Sequence, residues 1–482
     1  MINNEFGDVL VIDESNFLEN FDKLISAIKN SSEYQKLADC TQMVFDKKGS
    51  TKVMNRQTHT ELVAELASRL AKKMGFSEFE QKLAELIGIC HDLGHTAFGH
   101  DGEERCDRAL KYYGISAKDL NNAYAKMSNV PELLLEGEYD ELEHSFEHHA
   151  HSRRVLRKIL KDNNIIIKEP LLSRIEWGIL CHSESRTPNE KVTDILWTFA
   201  RYSDKFYAFT DTLDTIRSEN YIPGDILYRI QAEELEEEKK PIEERKSYFK
   251  DKTSKDNETL KLEQSDFDEF SAILELFDQN GVEYFISKYI DEAKIIEEDN
   301  YFYIDTKTNI GRQMRILQGV MKYMRKNGFI GKEEELANAM ISEIIAYRIA
   351  HPKDGVTEEK DKVIDACLFI TMSTDTELRD YYKVIAHNVE WCRYFDEKMK
   401  NNVEFETVIQ PDEREYIRKN PDMILNYYFN TEIDKVKDSS IRVQLNGKLM
   451  EYRKKPTLRK RRELIGLIEI SQSGGNPFAM DR

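Results

Sequence analysis

Apolar residues recur at helical spacing along most of the chain. From His59, the stretch HTELVAELASRLAKKMG sets Leu62, Val63, Leu66 and Leu70 on one face. Gly75 predicts the C-terminal stop of that helix. Ser77-Glu78-Phe79-Glu80 has the pattern of a capping box. It opens a second helix, which continues through Leu83, Leu86, Ile87 and Ile89 to His91 and Asp92 and ends by Gly94. A third, rich in histidine, is expected from Leu142 to Leu160. Gly178 to Asp194, broken by Pro188, reads as a turn, and TDILWTFARYSDKFYAFTDTLDTI follows as a long helix. On it, Trp197, Phe199, Phe206 and Phe209 read as core. FSAILELF and LANAMISEIIAYRIA continue the helical pattern further along. Strand is suggested only by VLVID near the N-terminus and by FYI around Tyr303, and no internal repeat is present.

The expected fold is therefore all-α. Glycine (21) and proline (10) are sparse for 482 residues, which supports long helices over turns. The expected organisation is an N-terminal segment (1–32), a core (33–230), a strongly charged excursion (231–265) and a helical C-terminal region (266–482).

A net charge of -19 makes the chain a poor default binder of nucleic acid or anionic membrane. No stretch approaches a membrane span, and the first residues do not read as a signal peptide. Cys40, Cys90, Cys106, Cys181, Cys367 and Cys392 are scattered without a C-x-x-C pair. That pattern excludes the usual cysteine-rich zinc sites and points to a reducing, cytoplasmic setting. The local basic cluster GKLMEYRKKPTLRKRRE reads first as a solvated face, with an oligomer contact, a nucleotide effector site or a single-stranded DNA contact as alternatives.

Histidine changes the picture. Seven of the eleven histidines lie between His91 and His151, and His59 precedes them. Asp92, Asp101, Glu103, Glu143 and Glu147 are interspersed. Imidazole with carboxylate suits a divalent cation such as Zn, Mn, Fe, Co or Mg. The densest string is His91-Asp92-Leu93-Gly94-His95-Thr96-Ala97-Phe98-Gly99-His100-Asp101-Gly102-Glu103. His100 and Glu103, three apart, can meet as an imidazole oriented by a carboxylate, which acid–base chemistry needs. His144-Ser145-Phe146-Glu147-His148 also matches an inverted zinc-protease motif. His182, His351 and His387 stand alone and read as packing or surface residues.

The order of these blocks resembles the HD-domain deoxynucleoside triphosphate triphosphohydrolases, of the deoxyguanosine triphosphatase kind. The resemblance covers roughly residues 33 to 216. It rests on Leu37 to Phe45, on Arg56-Gln57-Thr58-His59-Thr60, on His91 to Glu103, on Phe146 to Ser152 and on Ser203-Asp204-Lys205. Met372-Ser373-Thr374-Asp375 is a looser echo. The resemblance implies His59, His91, Asp92 and Asp204 as ligands of a divalent metal. His100, oriented by Glu103, and His95 are implied in proton transfer. Arg56, Lys205 and His148 are implied at the phosphates, and Gln42, Tyr207 and Asp211 at the sugar. Tyr207 and Asp211 each fall one position closer to Asp204 than in the family pattern, and the family's Asn and Gln become His149 and His151. The implied reaction is hydrolysis of a deoxynucleoside triphosphate, dGTP favoured, to deoxynucleoside and inorganic triphosphate. Relatives of this kind imply a homo-oligomer and a nucleotide effector. Another nucleotide phosphohydrolase or phosphodiesterase on the same scaffold, or a nucleotide-sensing module, are the alternatives.

Overall fold

The computed structural model describes residues 9–41, 54–130, 145–182, 194–218, 264–298, 301–304, 308–311, 313, 332–387, 433, 435–454, 458–474 and 477–478. Gln42, His144, most of the charged excursion and Cys392 lie outside them. The chain is all-α. Two short strand pairs are its only named β-structure among the described residues.

The described chain divides into two compact units. One comprises Met1–His95, Tyr124–Leu133 and Glu147–Gly331, and the other Thr96–Ala123, Leu134–Phe146 and Lys332–Arg482. The first contains β1 (Leu10–Ile12), α1 (Phe17–Lys29), α2 (Ser32–Gln35), α3 (Arg56–Lys73) and α4 (Glu78–Cys90). It also holds α7 (His148–Asp162), β2 (Ile165–Ile167), α8 (Leu171–Leu180), α9 (Ile195–Ser218), α10 (Gln264–Glu292) and the hairpin β3 (Ile295–Glu298) with β4 (Tyr301–Ile304). The second holds α5 (His100–Tyr112), α11 (Lys332–Ala350), α12 (Glu359–Met372), α13 (Asp375–His387), α14 (Ser439–Lys454) and α15 (Leu458–Gln472). The chain of α6 (Ala117–Ser128) belongs in part to each.

In the first unit α3 and α4 pack along most of their lengths, and α9 lies against both. The close approach falls at Gly88, where a Cβ would stand 2.5 Å from the Ala64 Cα. The apolar faces expected from the pattern are inside. Val63, Leu66 and Leu70 of α3, and Leu83, Leu86, Ile87 and Ile89 of α4, are buried, while Leu62 is half-buried. Each buried aliphatic side chain contributes about 1.5–3 kcal/mol. Phe199, Phe206 and Phe209 of α9 join this core, and Trp197 is half-buried.

Local chemistry sets the helix ends. Asn55 caps α3 by accepting from the Thr58 N–H at 2.8 Å. Gly75, at φ +81°, closes it: the Gly75 N–H donates to the Lys72 carbonyl and the Phe76 N–H to the Ala71 carbonyl. The Ser77–Glu80 capping box starts α4.

Three expectations need correction. Gly178 lies within α8, so the turn begins after Leu180 rather than at Gly178. The histidine-rich helix starts at His148, not near Leu142. Glu147 is extended at φ -144°, and the N–H groups of Ser145 and Phe146 donate to the Asp107 carboxylate at 2.6 and 3.0 Å. Glu147 and His148 therefore do not share a helical face across Ser145–His148, and the inverted zinc-protease reading loses its geometry. Finally, β2 was not expected. It pairs in parallel with β1, Leu10 opposite Ile165 and Ile12 opposite Ile167.

Candidate active site

Four elements of the first unit deliver side chains to one buried cluster. His59 is in the first turns of α3, His91 and Asp92 directly follow α4, His148 opens α7, and Asp204 is on α9. His59 Nε2 lies 2.9 Å from Asp204 Oδ1, and His91 Nε2 lies 3.8 Å from the same oxygen. His91 Nε2 is also 3.5 Å from Asp92 Oδ1. His59, His91 and Asp92 are buried, and the Asp204 side chain is 28% exposed, the one ligand candidate partly open to solvent.

The backbone around His91 and Asp92 is held firmly. His91 Nδ1 donates to the Gly88 carbonyl at 2.7 Å, which leaves Nε2 as the lone-pair nitrogen. Ser152 of α7 accepts from the Gly94 N–H at 2.9 Å and lies 2.7 Å from the His91 carbonyl. Gly94 itself has no room for a side chain, because a Cβ would run into the backbone of His148, His151 and Ser152. Arg56 donates from a buried guanidinium nitrogen to Asp92 Oδ2 at 2.8 Å, so one carboxylate oxygen is fixed and Oδ1 faces the histidines.

The charges here reinforce one another. Burial opposes ionisation of Asp92, yet the charges of His91, Arg56, His95 and His148 hold its carboxyl well below the usual range. Burial likewise works against Asp204, but the hydrogen bond from His59 and the charges of His59, His91 and His182 hold it at about 2. Burial pushes His59 down; the Asp204 hydrogen bond and charge, with Asp92 and Asp211, outweigh it and raise the imidazole pKa.

A divalent ion fits this donor set. His91 Nε2 is buried and finds no hydrogen-bond partner, although it faces two carboxylates. His59, His91 and Asp204 form one group able to hold a cation, and His91, Asp92 and His182 form another. Two imidazoles and two carboxylates leave coordination positions open for water or a phosphate oxygen.

The remaining predicted residues divide clearly. The His95 ring stacks on His148, centroids 4.2 Å apart. Tyr207 is buried, with its ring 6.5 Å from that of His59, and Asp211 is buried one turn further along α9. Lys205 is half-buried, its Nζ 5.4 Å from the centre of the Tyr202 ring. In the second unit, His100 Nδ1 meets Glu103 Oε2 at 2.9 Å, as their spacing predicts. His100 is 76% exposed there and Glu103 15%, so the imidazole is open and its orienting carboxylate is covered. The loop before them is pinned: the Phe98 N–H donates to Asp375 at 2.7 Å, and the Thr96 hydroxyl donates to the Gly99 carbonyl at 2.6 Å. Asp375 belongs to the looser echo near the C-terminal region.

Of the isolated histidines, His351 is exposed and stacks on Tyr347. His182 belongs to the buried cluster instead. Its Nε2 lies 3.1 Å from His148 Nε2, and its ring centre is 4.9 Å from that of His91. The replacements His149 and His151 are both buried, His149 against Glu147 at 2.9 Å and His151 edge-on to Tyr124. Burial, then the charges of Arg154 and Lys36, push His151 well below the usual histidine range, so it is a neutral ring.

This cluster of histidine and aspartate at the ends of packed helices is the signature of an HD domain, and the HD-domain profile matches residues 56–254. The chain belongs to the HD-domain family. Within it, the matched relatives are deoxyguanosinetriphosphate triphosphohydrolase-like proteins. That of Wolinella succinogenes is 38% identical over 90 residues, covering 19% of this chain and 24% of the relative. That of Azoarcus sp. (strain BH72) is 39% identical over 87 residues, 18% of this chain and 22% of the relative. That of Leptospira interrogans is 34% identical over 138 residues, 27% of this chain and 35% of the relative. The matched part thus spans about a quarter to a third of these relatives' length.

Proposed function

We propose that the protein is a metal-dependent nucleotide phosphohydrolase that converts a deoxynucleoside triphosphate, dGTP favoured, to the deoxynucleoside and inorganic triphosphate. The observation that carries this reading is the buried convergence of His59, His91, Asp92 and Asp204. In it these four hold one divalent ion, Mn, Mg, Fe, Co or Zn. That ion polarises the α-phosphate and helps to orient the attacking water.

The chain's own residues do the rest. Arg56 fixes Asp92 and contributes positive charge beside the phosphates, together with Lys205. His95 and His148 present stacked rings to the phosphate oxygens. The bond from phosphorus to the 5′ oxygen breaks as the water oxygen joins phosphorus, so one proton leaves the water and one arrives on the 5′ oxygen. His100, oriented by Glu103, handles such a proton. Tyr207 packs beneath the sugar, Asp211 and Gln42 bind its 3′ hydroxyl, and the covered sugar excludes a 2′ hydroxyl. The HD core of about 33–230 carries this chemistry, the C-terminal helices complete the site and a homo-oligomer interface, and a nucleotide effector tunes it. Cys40, Cys90, Cys106, Cys181 and Cys367 are free and buried, which supports a reducing, cytoplasmic setting.

Incubation with each deoxynucleoside triphosphate, singly and mixed, with Mn or Mg, tests the reading. Deoxynucleoside and inorganic triphosphate are the expected products. Monophosphate or diphosphate products would point to a different hydrolase on this scaffold, and binding without turnover to a sensing module.

A further inference from the structure

The cluster contains more imidazole than one cation needs. His182 sits at the end of α8, its Nδ1 donating to the Ile179 carbonyl at 2.7 Å. That bond fixes the tautomer, so Nε2 carries a lone pair. This nitrogen points at His148 Nε2, 3.1 Å away and also buried. Asp92 Oδ1 lies 3.8 Å from His148 Nε2 and 3.5 Å from His91 Nε2. The ligand atoms of His91, Asp92 and His182 all lie within 4.8 Å of one another. Donors about 2.1 Å from a cation stand about 3.0–3.4 Å apart, so the pair of imidazole nitrogens is already at coordination spacing.

We propose that His148 and His182, with the free Oδ1 of Asp92, hold a second divalent cation beside the one assigned to His59, His91 and Asp204. This inference rests on the metal-site reading above and deepens it. Asp92 is the bridge: Arg56 occupies Oδ2 and leaves Oδ1 for both cations. A plain hydrogen bond between the two rings would account for one proton between His148 and His182. It would leave the buried His91 Nε2, directed at the same space, without a partner. The second cation satisfies all these nitrogens together. It also explains why a buried α8 terminus carries a histidine, and it has His148 reach substrate phosphate through a cation rather than directly. Paired cations of this kind clamp the attacking and leaving oxygens of a displacement at phosphorus.

The test uses the full chain, stripped of metal and titrated with Mn, read by metal content after desalting and by electron paramagnetic resonance. Wild type is expected to hold two Mn per chain with an exchange-coupled spectrum. His182→Asn is expected to hold one, uncoupled, and Asp204→Asn to hold one at the other position. One uncoupled Mn in both wild type and His182→Asn overturns the second cation and leaves the first site standing. Binding unchanged in Asp204→Asn overturns the first-site reading instead, and no binding in wild type overturns both. Circular dichroism of the metal-free variants checks folding. If His182→Asn does not fold, wild-type stoichiometry decides: one Mn per chain overturns the proposal.

Discussion

Replacing Ser152 by alanine removes one oxygen from the interior beneath the candidate metal centre. The side chain is fully buried. Its hydroxyl accepts from the Gly94 N–H at 2.9 Å and shares its single hydrogen between the carbonyls of His91 and His148, at 2.7 and 2.9 Å. Alanine leaves the Gly94 N–H buried without a partner, which costs about 1–3 kcal/mol, and loses a hydroxyl–carbonyl bond of about 1 kcal/mol. The expected destabilisation is therefore roughly 2–4 kcal/mol. At about 2–4 °C per kcal/mol for a unit of this size, the metal-free Tm should fall by roughly 5–15 °C. The same bonds hold the backbone of two metal-ligand candidates, so Mn affinity should drop about 10- to 100-fold. Scanning calorimetry of metal-free protein and Mn titration calorimetry measure the two effects. A Tm within about 1 °C of wild type, with unchanged Mn affinity, would refute the claim that Ser152 supports the centre.

Asp92→Ala should abolish turnover and, by stranding the buried Arg56 guanidinium, cost about 3–5 kcal/mol; product chromatography and chemical denaturation read both. Gly94→Ala should destabilise by about 1–3 kcal/mol or more, since its Cβ meets backbone that cannot yield, and urea midpoints report it. Glu103→Gln should lower kcat by up to about 10²-fold with little change in KM and alter the pH profile, because His100 loses its orienting charge. In metal-free protein Asp204 is held at about 2, below its ordinary 3.8. Its contribution to stability is thus full above pH about 4 and lost as pH falls through about 2. Asp204→Asn should flatten that acid limb in pH-jump unfolding, and an unchanged limb would contradict the assignment.

Elements set by neighbours in sequence were legible. The stop at Gly75, the capping box at Ser77 and Glu80 and the buried stripe of α3 each depend on residues within a turn or two. The true start of α7 was not, because the groups that hold Ser145 and Phe146 extended belong to Asp107, far away in the chain. β2 was missed for a related reason: three isoleucines have no period, and their partner strand is non-local. His59, His91, Asp92 and Asp204 were named through an ordered resemblance, and the structure brings them together. His182 stands alone in sequence, and only the packing of α8 against α4 and α7 brings it to His91 and His148. Its one local signal was a histidine at the end of an apolar helix.

The pairing of β1 with β2 has a consequence during synthesis. Leu10–Ile12 leaves the ribosome about 150 residues before Ile165–Ile167. At about 5–20 residues per second, the first strand waits roughly 10–30 s for its partner. During that interval Ile12, buried in the finished unit, has nowhere to go, and the strand's hydrogen-bonding edge is open to any other extended chain. A strand of three residues offers such a stranger few bonds, so its brevity guards the nascent chain against wrong pairing until the right partner arrives.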